Sequence, residues 1–457
     1  MIINTLKEVY NVLPWLSLII PGKTGEKFST IFKPGKDTFK NLIEKLEKPF
    51  DIEEIKKRTS NLRNLTFGVT HNCNLRCRYC GYGGNYQYNR SHSKVSMKTA
   101  TFKKAFDWFF DQVNSPYRTT REDLIFSFYG GEPLLRFDEI MNACEYADEL
   151  NRKNPVHPKI RLMITTNGVL LNQERAQKLL DKNFLIDISL DGPKDQHDLM
   201  RVKTDKTGTF NDVYANVKQL KKNFPEKYHS NIRFLLTVHP FHDIKKIEQF
   251  FLNNHRLFHE NNVILSLVGF KYLVTNVERE WLKSRPKQSK QIEESLDKTK
   301  WFYKKMICSW LERIYSSPTQ LLAMQDKFTG TCFPTTHKLF IDVDGSFHLC
   351  EKMNSHFPIG NVDTGLDYKM IQEILNNWNR EILKRRCWEC DMWWICNFCF
   401  ATQATRDSMG ISEDECRLSA KATQQSFFEF LNLMEVEDEK NHSDRFSDID
   451  RYLELLQ

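Results

Sequence analysis

From residue 64 onward, short β-branched or aromatic runs alternate along the chain with longer segments of helical spacing. The runs predict six strands, at residues 65–70, 124–129, 160–165, 185–190, 232–238 and 263–270. The spacing between them predicts amphipathic helices, at residues 97–113, 138–150, 173–182, 210–223 and 244–253. Strands that alternate with helices form a parallel sheet, so we expect an α/β fold, namely a partial (β/α)6 TIM-like barrel.

Polar and glycine residues follow several of these strands, at the carboxyl ends where such barrels carry their chemistry. The second strand ends in Gly130-Gly131-Glu132, the third in Thr165-Thr166-Asn167-Gly168, and the fourth in Ser189-Leu190-Asp191-Gly192 with Arg201 beyond it. Paired glycines allow close backbone approach, and a carboxylate such as Glu132 accepts hydrogen bonds from an amine. Each segment alone also fits an ordinary turn. Together at one edge they indicate a binding site.

Composition narrows the class of protein. The 457 residues are 40% hydrophobic and 27% charged, which is typical of a folded globular protein rather than a disordered chain. The net charge is +7, and no basic tract with interleaved aromatic residues suggests nucleic-acid binding. The apolar run at residues 13–20 contains Pro14 and is too short to span a membrane, and no cleavage signature follows it. We therefore expect a cytoplasmic protein with neither a nucleic-acid nor a membrane partner.

Twelve cysteines are clustered along the chain rather than scattered. In a reducing compartment, such clusters indicate metal binding rather than disulfides. Cys73-x-x-x-Cys77-x-x-Cys80 offers three thiolates, which fits a four-iron cluster with one iron open to a ligand. Structural zinc, which takes four ligands, is the alternative and would recruit His71 as the fourth.

The segment from Cys73 to Cys80, followed by Gly-Gly-Glu-Pro, resembles the radical S-adenosylmethionine (radical SAM) enzymes. The resemblance implies a [4Fe-4S] cluster on Cys73, Cys77 and Cys80, with S-adenosylmethionine on the open iron. Reductive cleavage would then yield a 5′-deoxyadenosyl radical that abstracts hydrogen from a substrate. It also implies a set of residues that contact S-adenosylmethionine: Tyr79, Gly130, Gly131, Glu132, Asn167, Ser189 and Arg201.

A second cysteine array is similar to the SPASM extension of peptide-modifying radical enzymes, which carries two auxiliary [4Fe-4S] clusters. The resemblance implies one cluster on Cys387, Cys390, Cys396 and Cys416, and another on Cys332, Cys350 and Cys399. With the first site this makes three [4Fe-4S] clusters. The second auxiliary cluster then lacks a fourth ligand, for which Asp326, Cys308 and a substrate cysteine are the candidates. Two residues separate Cys396 from Cys399, one fewer than the family pattern has.

Glu351 follows Cys350 directly, and the resemblance implies that it matches an aspartate proposed as general base in sulfatase maturases, which makes it a candidate catalytic base. We predict five regions. They are an N-terminal extension or partial peptide-recognition element at 1–63, the radical SAM barrel at 64–273, a helical bridge at 274–330, the SPASM domain at 331–425 and an acidic tail at 426–457.

The predicted activity is modification of a ribosomally made precursor peptide by an intrapeptide cross-link, specifically a thioether from a cysteine. Carbon-carbon or carbon-oxygen cross-linking, formylglycine formation in a sulfatase, and a non-catalytic zinc or iron-sulfur module are the alternatives. The expected partners are the peptide and a one-electron donor of the flavodoxin or ferredoxin type.

Overall fold

An eight-stranded sheet organises the computed structural model. The structure describes residues 40, 43–84, 90–153, 155–156, 159–239, 241–267, 333, 335–353, 355–390, 396, 413, 416–417 and 420. The strands are β1 (Asn64–Thr70), β2 (Leu124–Gly130), β3 (Ile160–Thr166), β4 (Leu185–Ser189), β5 (Ile232–Val238), β6 (Val263–Leu267), β7 (Lys338–Ile341) and β8 (Phe347–His348). Their order is β6-β5-β4-β3-β2-β1-β7-β8. All neighbours are parallel except β7 and β8, which form an antiparallel hairpin.

Helices precede β1, connect the parallel strands and follow the hairpin of β7 and β8. They are α1 (Ile52–Thr59), α2 (Thr99–Val113), α3 (Phe137–Lys153), α4 (Gln173–Asp181), α5 (Lys194–Met200), α6 (Phe210–Asn223), α7 (Pro225–Asn231), α8 (Ile244–Asn253) and α9 (Tyr368–Arg385). A short antiparallel pair, β9 (Gly360–Asn361) and β10 (Gly365–Leu366), precedes α9. Side chains that accept from a backbone N–H of the first turn fix the starts of α1, α4, α8 and α9, at Asp51, Asn172, Asp243 and Asp367.

The α/β class and the six parallel strands are confirmed, and the strand bounds agree with the sequence pattern to within a residue or two wherever the structure describes them. Residues 268–270, predicted to extend the sixth strand, lie outside the described part. The five predicted helices are also present. No helix among the described residues is long and apolar enough to cross a membrane.

Aromatic side chains fill the space between the sheet and α2. Phe67 on β1 stacks on Phe128 of β2 with ring centroids 5.5 Å apart, and it meets Phe106 of α2 at 4.9 Å. Phe126 completes this cluster, and all four rings are fully buried. Burying one such side chain contributes roughly 1.5–3 kcal/mol, so this cluster anchors the strand that leads into the cysteine loop.

The pairing of β7 with β1 was not predicted. Asn64 lies opposite Lys338 and Phe67 opposite Ile341, so a C-terminal strand extends the sheet beyond β1. Strands β7 and β8 form a hairpin that leads into the segment carrying Cys350. Because β1 and β7 run parallel, their carboxyl ends meet at the same edge. The segment after β7 therefore lies beside the cysteine loop that follows β1.

Candidate active site

The cysteine loop leaves the carboxyl end of β1 and carries three free thiols, Cys73, Cys77 and Cys80. Burial, with smaller contributions from neighbouring acidic groups and cysteines, raises the pKa of Cys73 and of Cys77 to about 12. The backbone N–H of Leu75 donates to Cys73 Sγ at 3.4 Å, and that of Tyr82 donates to Cys80 Sγ at 3.3 Å. The loop thus surrounds its sulfurs with hydrogen-bond donors.

These residues fit an iron-sulfur cluster. N–H groups directed at thiolate sulfurs are the contacts that stabilise cluster ligands, and the Arg201 guanidinium lowers the pKa of Cys77 and Cys80 against the effect of burial. Among the described residues, no three His, Cys, Asp or Glu side chains are arranged to hold a single metal ion. His71, the fourth ligand that zinc would require, is bound instead to Asp342, with 2.8 Å between Nε2 and Oδ1.

Glu132, at the end of β2, is completely buried and joins the ends of β2 and β3. Its Oε1 accepts from Thr166 Oγ1 at 2.7 Å and from the backbone N–H of Leu134 at 3.0 Å, and Oε2 accepts from the N–H of Asn167 at 2.8 Å. Burial raises the pKa of Glu132 to about 7, although these donors favour the carboxylate. The amine-binding role assigned to Glu132 stays a prediction, whereas its role in joining two strand ends is observed.

The two glycines before Glu132 are required by close packing against the cysteine loop. A Cβ on Gly130, where φ is +130°, would lie 2.5 Å from the carbonyl oxygen of Thr70, and one on Gly131 would lie 2.1 Å from that of Asn72. Any larger residue would therefore displace the backbone just before Cys73. The expected approach of these glycines to a ligand stays a prediction.

Asn167 connects the end of β3 to the same loop. Its side-chain amide donates to Asn74 Oδ1 at 2.8 Å and lies 3.8 Å from Cys73 Sγ. Ser189 is buried at the end of β4, next to the turn that begins the following connection. The structure thus brings the polar ends of β2, β3 and β4 to the edge that holds the cysteine loop.

Asp191 connects Tyr79 of the cysteine loop to Arg201. Its Oδ2 accepts from the Tyr79 hydroxyl at 2.5 Å and from Arg201 Nε at 2.8 Å, and Oδ1 accepts from Arg201 Nη2 at 3.2 Å. The carboxylate is completely buried, and the Arg201 guanidinium lies 5.3 Å from the centre of the Tyr79 ring. Although burial opposes ionisation, Arg201 holds the pKa of Asp191 below its usual range. Tyr79 and Arg201 are therefore fixed by one anion.

A second set of hydrogen bonds holds the backbone of Asp191 and Arg201. The backbone N–H of Asp191 donates to His197 Nδ1 at 3.2 Å, and His197 Nε2 lies 3.0 Å from Thr209 Oγ1. The Thr209 hydroxyl donates to the carbonyl oxygen of Arg201 at 3.0 Å. Ser189 and Arg201 were predicted as site residues, whereas no role was predicted for Asp191 or His197. The signal for Asp191 was its position in the polar segment after the fourth strand.

The hairpin of β7 and β8 leads into Cys350 and Glu351, and this segment is connected through Arg90 and Asp342 to His71, just before the cysteine loop. Glu351 accepts from Lys338 Nζ, 3.1 Å from Oε2, and its backbone carbonyl accepts from Arg90 Nη1 at 3.2 Å. Burial disfavours the charged carboxylate, but the nearby Lys338 ammonium holds the pKa of Glu351 below its ordinary value. Both the side chain and the backbone of Glu351 are therefore held.

Four further cysteines come together after α9. Cys387 is half-buried, and burial together with the charges of Cys396, Cys416 and Cys390 raises its pKa to about 12, so these sulfurs are neighbours. This is the quartet assigned to one auxiliary cluster. Four predicted ligands or ligand candidates lie outside the described residues: Cys308, Asp326, Cys332 and Cys399.

Comparison with known proteins gives the family. A model of the radical SAM superfamily matches residues 67–251. A cysteine-type anaerobic sulfatase-maturating enzyme from Clostridium novyi is 31% identical over 192 residues, which cover 42% of this chain and 48% of that enzyme. The radical SAM cyclopropyl synthase TigE from Paramaledivibacter caminithermalis is 24% identical over 35% of this chain and 33% of its own. The chain spans about half the length, or less, of these curated relatives.

A solved structure, "Native anSMEcpe with bound AdoMet", shares the fold, with a TM-score of 0.54 and 20% identity over 82% of this chain and 99% of that one. The family model begins within β1 and ends within α8, so it covers the cysteine loop and the strand ends described above. The prediction from the cysteine motif is thereby confirmed: residues 67–251 of this chain match the radical SAM superfamily.

Proposed function

We propose that this protein is a radical SAM maturase that modifies a ribosomally made peptide. The observation that carries the proposal is that buried contacts at one edge of the sheet connect the start of the three-cysteine loop, at His71, to a second cysteine segment, Cys350-Glu351. A single radical site needs only the first loop. The Cys350 thiol and the neighbouring Glu351 carboxylate would suit a reaction in which the substrate loses a hydrogen atom and then also an electron.

The first loop would hold the cluster through Cys73, Cys77 and Cys80. Held by these thiolates, a [4Fe-4S] cluster would supply the electron for reductive cleavage of S-adenosylmethionine to the hydrogen-abstracting radical. Tyr79 and Arg201 would form one wall of the S-adenosylmethionine site, because Asp191 fixes both. Asn167 and Ser189 would border the site at the ends of β3 and β4.

Glu351 is proposed as the proton acceptor. Lys338 favours its carboxylate form, so the group can take a proton from the substrate once hydrogen has been abstracted. Its carbonyl is held by Arg90, which fixes the backbone relative to the cysteine loop. A base acts only within hydrogen-bond reach of the proton that it removes, so this double restraint is what its role requires.

The specific cross-link that we propose is a thioether. Forming it removes the thiol proton, one hydrogen atom from the acceptor carbon and one further electron. Glu351 would take the proton, the deoxyadenosyl radical the hydrogen atom, and a C-terminal cluster the electron. The three-cysteine set Cys332, Cys350 and Cys399 favours this route, because a fourth position open to a substrate thiolate would bring the sulfur to the reaction.

Formylglycine formation is the second candidate, because sulfatase-maturating enzymes are among the relatives. Such an enzyme oxidises the side chain of one cysteine or serine of a sulfatase and does not join it to a second residue. Carbon-carbon or carbon-oxygen cross-linking uses the same first step as thioether formation. These three reactions differ in how they change the mass, the free thiols and the aldehyde content of a peptide.

One experiment separates them. The reconstituted enzyme is incubated anaerobically with S-adenosylmethionine, dithionite and a cysteine-containing candidate peptide, which is then alkylated and probed for aldehyde. Loss of a hydrogen pair with one fewer alkylated thiol supports the thioether. The same mass loss with every thiol alkylated indicates a carbon-carbon or carbon-oxygen link. An aldehyde at the cysteine position indicates formylglycine, and an unchanged peptide contradicts the proposal for that substrate.

The proposed setting is the cytoplasm, with a flavodoxin-type or ferredoxin-type donor reducing the first cluster. Replacing dithionite with either reduced donor tests this directly, because the physiological donor class should sustain cleavage of S-adenosylmethionine by itself.

A further inference from the structure

A single buried carboxylate lies between the two cysteine-bearing segments. Asp342 directly follows β7; its Oδ1 is 2.8 Å from His71 Nε2, and its Oδ2 accepts from Arg90 Nε at 2.5 Å. The Asp342 side chain is 6% exposed and that of Arg90 is 1% exposed. His71 lies two residues before Cys73. Asp342 therefore contacts the first cysteine loop through His71.

Arg90 extends the contact to the second segment. Its Nη1 donates to the backbone carbonyls of Glu351 at 3.2 Å and Met353 at 2.9 Å, and its guanidinium lies 4.5 Å from the centre of the Phe340 ring. These two carbonyls follow Cys350 directly. A continuous series of contacts thus runs from His71 through Asp342 and Arg90 to the chain beside Cys350.

General stabilisation is a weak explanation for this pair. Desolvating two charges costs about as much as their attraction returns, and apolar side chains of similar volume often stabilise a fold equally well. What a buried ion pair provides is geometry, because a planar guanidinium with several committed N–H groups permits one arrangement of its partners. Here the pair joins two segments that the chain separates widely, residues 71–90 and residues 342–353.

We infer that Asp342 and Arg90 are positioning residues that hold the Cys350-Glu351 segment at a fixed place relative to the first cysteine loop. The inference rests on the proposed function to the extent that Cys350 binds a second cluster. Without the pair, the first loop keeps its cysteines, but the second segment loses the contacts that hold its backbone. The two sites would then lose their fixed separation.

The test compares Asp342→Asn with wild-type holoenzyme by hydrogen exchange and iron content. We expect the amides of residues 347–353 to exchange at least about tenfold faster in the variant, because the buried pair no longer holds them. We also expect loss of about four irons per chain, the content of one [4Fe-4S] cluster. The electron paramagnetic resonance change that S-adenosylmethionine causes at the first cluster should persist.

Asp344→Asn is the matched control, since Asp344 is an exposed aspartate of the same hairpin whose carboxylate accepts hydrogen bonds from Ser346. If exchange at residues 347–353 in Asp342→Asn equals that in Asp344→Asn, the inference is wrong. Arg90→Lys keeps the positive charge but cannot reach both carbonyls, so it should show the same local effect and decides the matter if Asp342→Asn unfolds throughout.

The iron and exchange measurements also separate this inference from the proposed function. Wild-type protein that binds only the irons of the first site would refute a second cluster at Cys350. The exchange comparison would still show whether the pair holds this segment.

Discussion

The hydroxyl of Tyr79 donates to Asp191 Oδ2 over 2.5 Å, and this bond ties the cysteine loop to the turn after β4. Tyr79 lies between Cys77 and Cys80 in the sequence, so its ring cannot move without moving the thiols on either side. Arg201 shares the same carboxylate and faces the same ring. The buried Asp191 carboxylate is therefore one of the groups that hold the loop in position over the sheet.

Asp191→Asn should weaken the fold and the binding of S-adenosylmethionine together. The amide keeps the shape but leaves the buried Arg201 guanidinium without its anion, and breaking such a pair costs about 3–5 kcal/mol. Tyr79→Phe removes one hydrogen bond to a charged acceptor, worth about 1.5–3 kcal/mol. Urea unfolding and equilibrium dialysis with S-adenosylmethionine measure the two effects.

Asp205→Asn serves as the control for that pair of variants, because Asp205 lies in an exposed loop and bonds to Thr207. A double-mutant cycle of Tyr79→Phe and Asp191→Asn should give less than the sum of the single effects. Full additivity would mean that the hydroxyl and the carboxylate act independently, contrary to the bond described.

Cysteine substitutions should divide the thiols by function. Cys77→Ser should remove the irons of the first site, about four per chain, because all three thiolates of the loop are needed. Cys144→Ser should leave the iron content unchanged, since Cys144 is fully buried on α3, where it packs in the hydrophobic core. Iron analysis after anaerobic reconstitution reads both results; equal loss in the two variants would argue against a cluster on the loop.

Glu132→Gln should destabilise the protein by about 1–3 kcal/mol although the two side chains have the same shape. Both carboxylate oxygens accept hydrogen bonds, so the amide of a glutamine must turn its NH2 toward one of the donors, such as the N–H of Asn167. Chemical denaturation measures the difference. Glu139→Gln, on the partly exposed side of α3, should cost far less, and an equal cost would show that the buried contacts are not responsible.

Stability should fall on acidification because of His197. Burial lowers the pKa of this imidazole to about 4 from an ordinary value of 6.5, so the unfolded chain takes up its proton first. The contribution of the neutral His197 imidazole to the free energy of unfolding is complete above pH 6.5. It declines as the pH falls toward 4, by an amount on the order of 3 kcal/mol. Asn at this position cannot titrate, so the stability difference between wild type and His197→Asn should shrink over that range.

His255→Gln provides the comparison for the acid series, because His255 is exposed at the end of α8. Its denaturation curves should run parallel to wild type between pH 6.5 and 4. If His197→Asn also runs parallel to wild type, the buried imidazole does not titrate with the fold.

The strands and most helices were predictable because local periodicity specifies them, as the agreement at Ile232–Val238 and Phe210–Asn223 shows. The cysteine loop was predictable because its spacing is distinctive. The pairing of β7 with β1 was not, since a short apolar run such as Lys338–Ile341 fits many partners and nothing local selects one. Contacts between distant segments, including His71 with Asp342, follow from that pairing and were hidden with it.

Asp191 was overlooked for a different reason. An Asp-Gly pair after a strand usually marks a turn, and the role of its carboxylate is visible only when Tyr79 and Arg201 are seen to bond to it.

Helix α9 was also not predicted, although its apolar residues recur at helical spacing. They are Ile371, Ile374, Leu375 and Trp378. That helix could have been predicted from the sequence alone.

The parallel pairing of Asn64 with Lys338 sets an order of events on the ribosome. At roughly 5–20 residues per second, tens of seconds separate the synthesis of the two strands. Throughout that interval the outer edge of β1 is an open template for another nascent chain, with unpaired thiols at its carboxyl end. Slower expression at low temperature, with chaperones present, should therefore improve the yield of this protein more than any change to its surface.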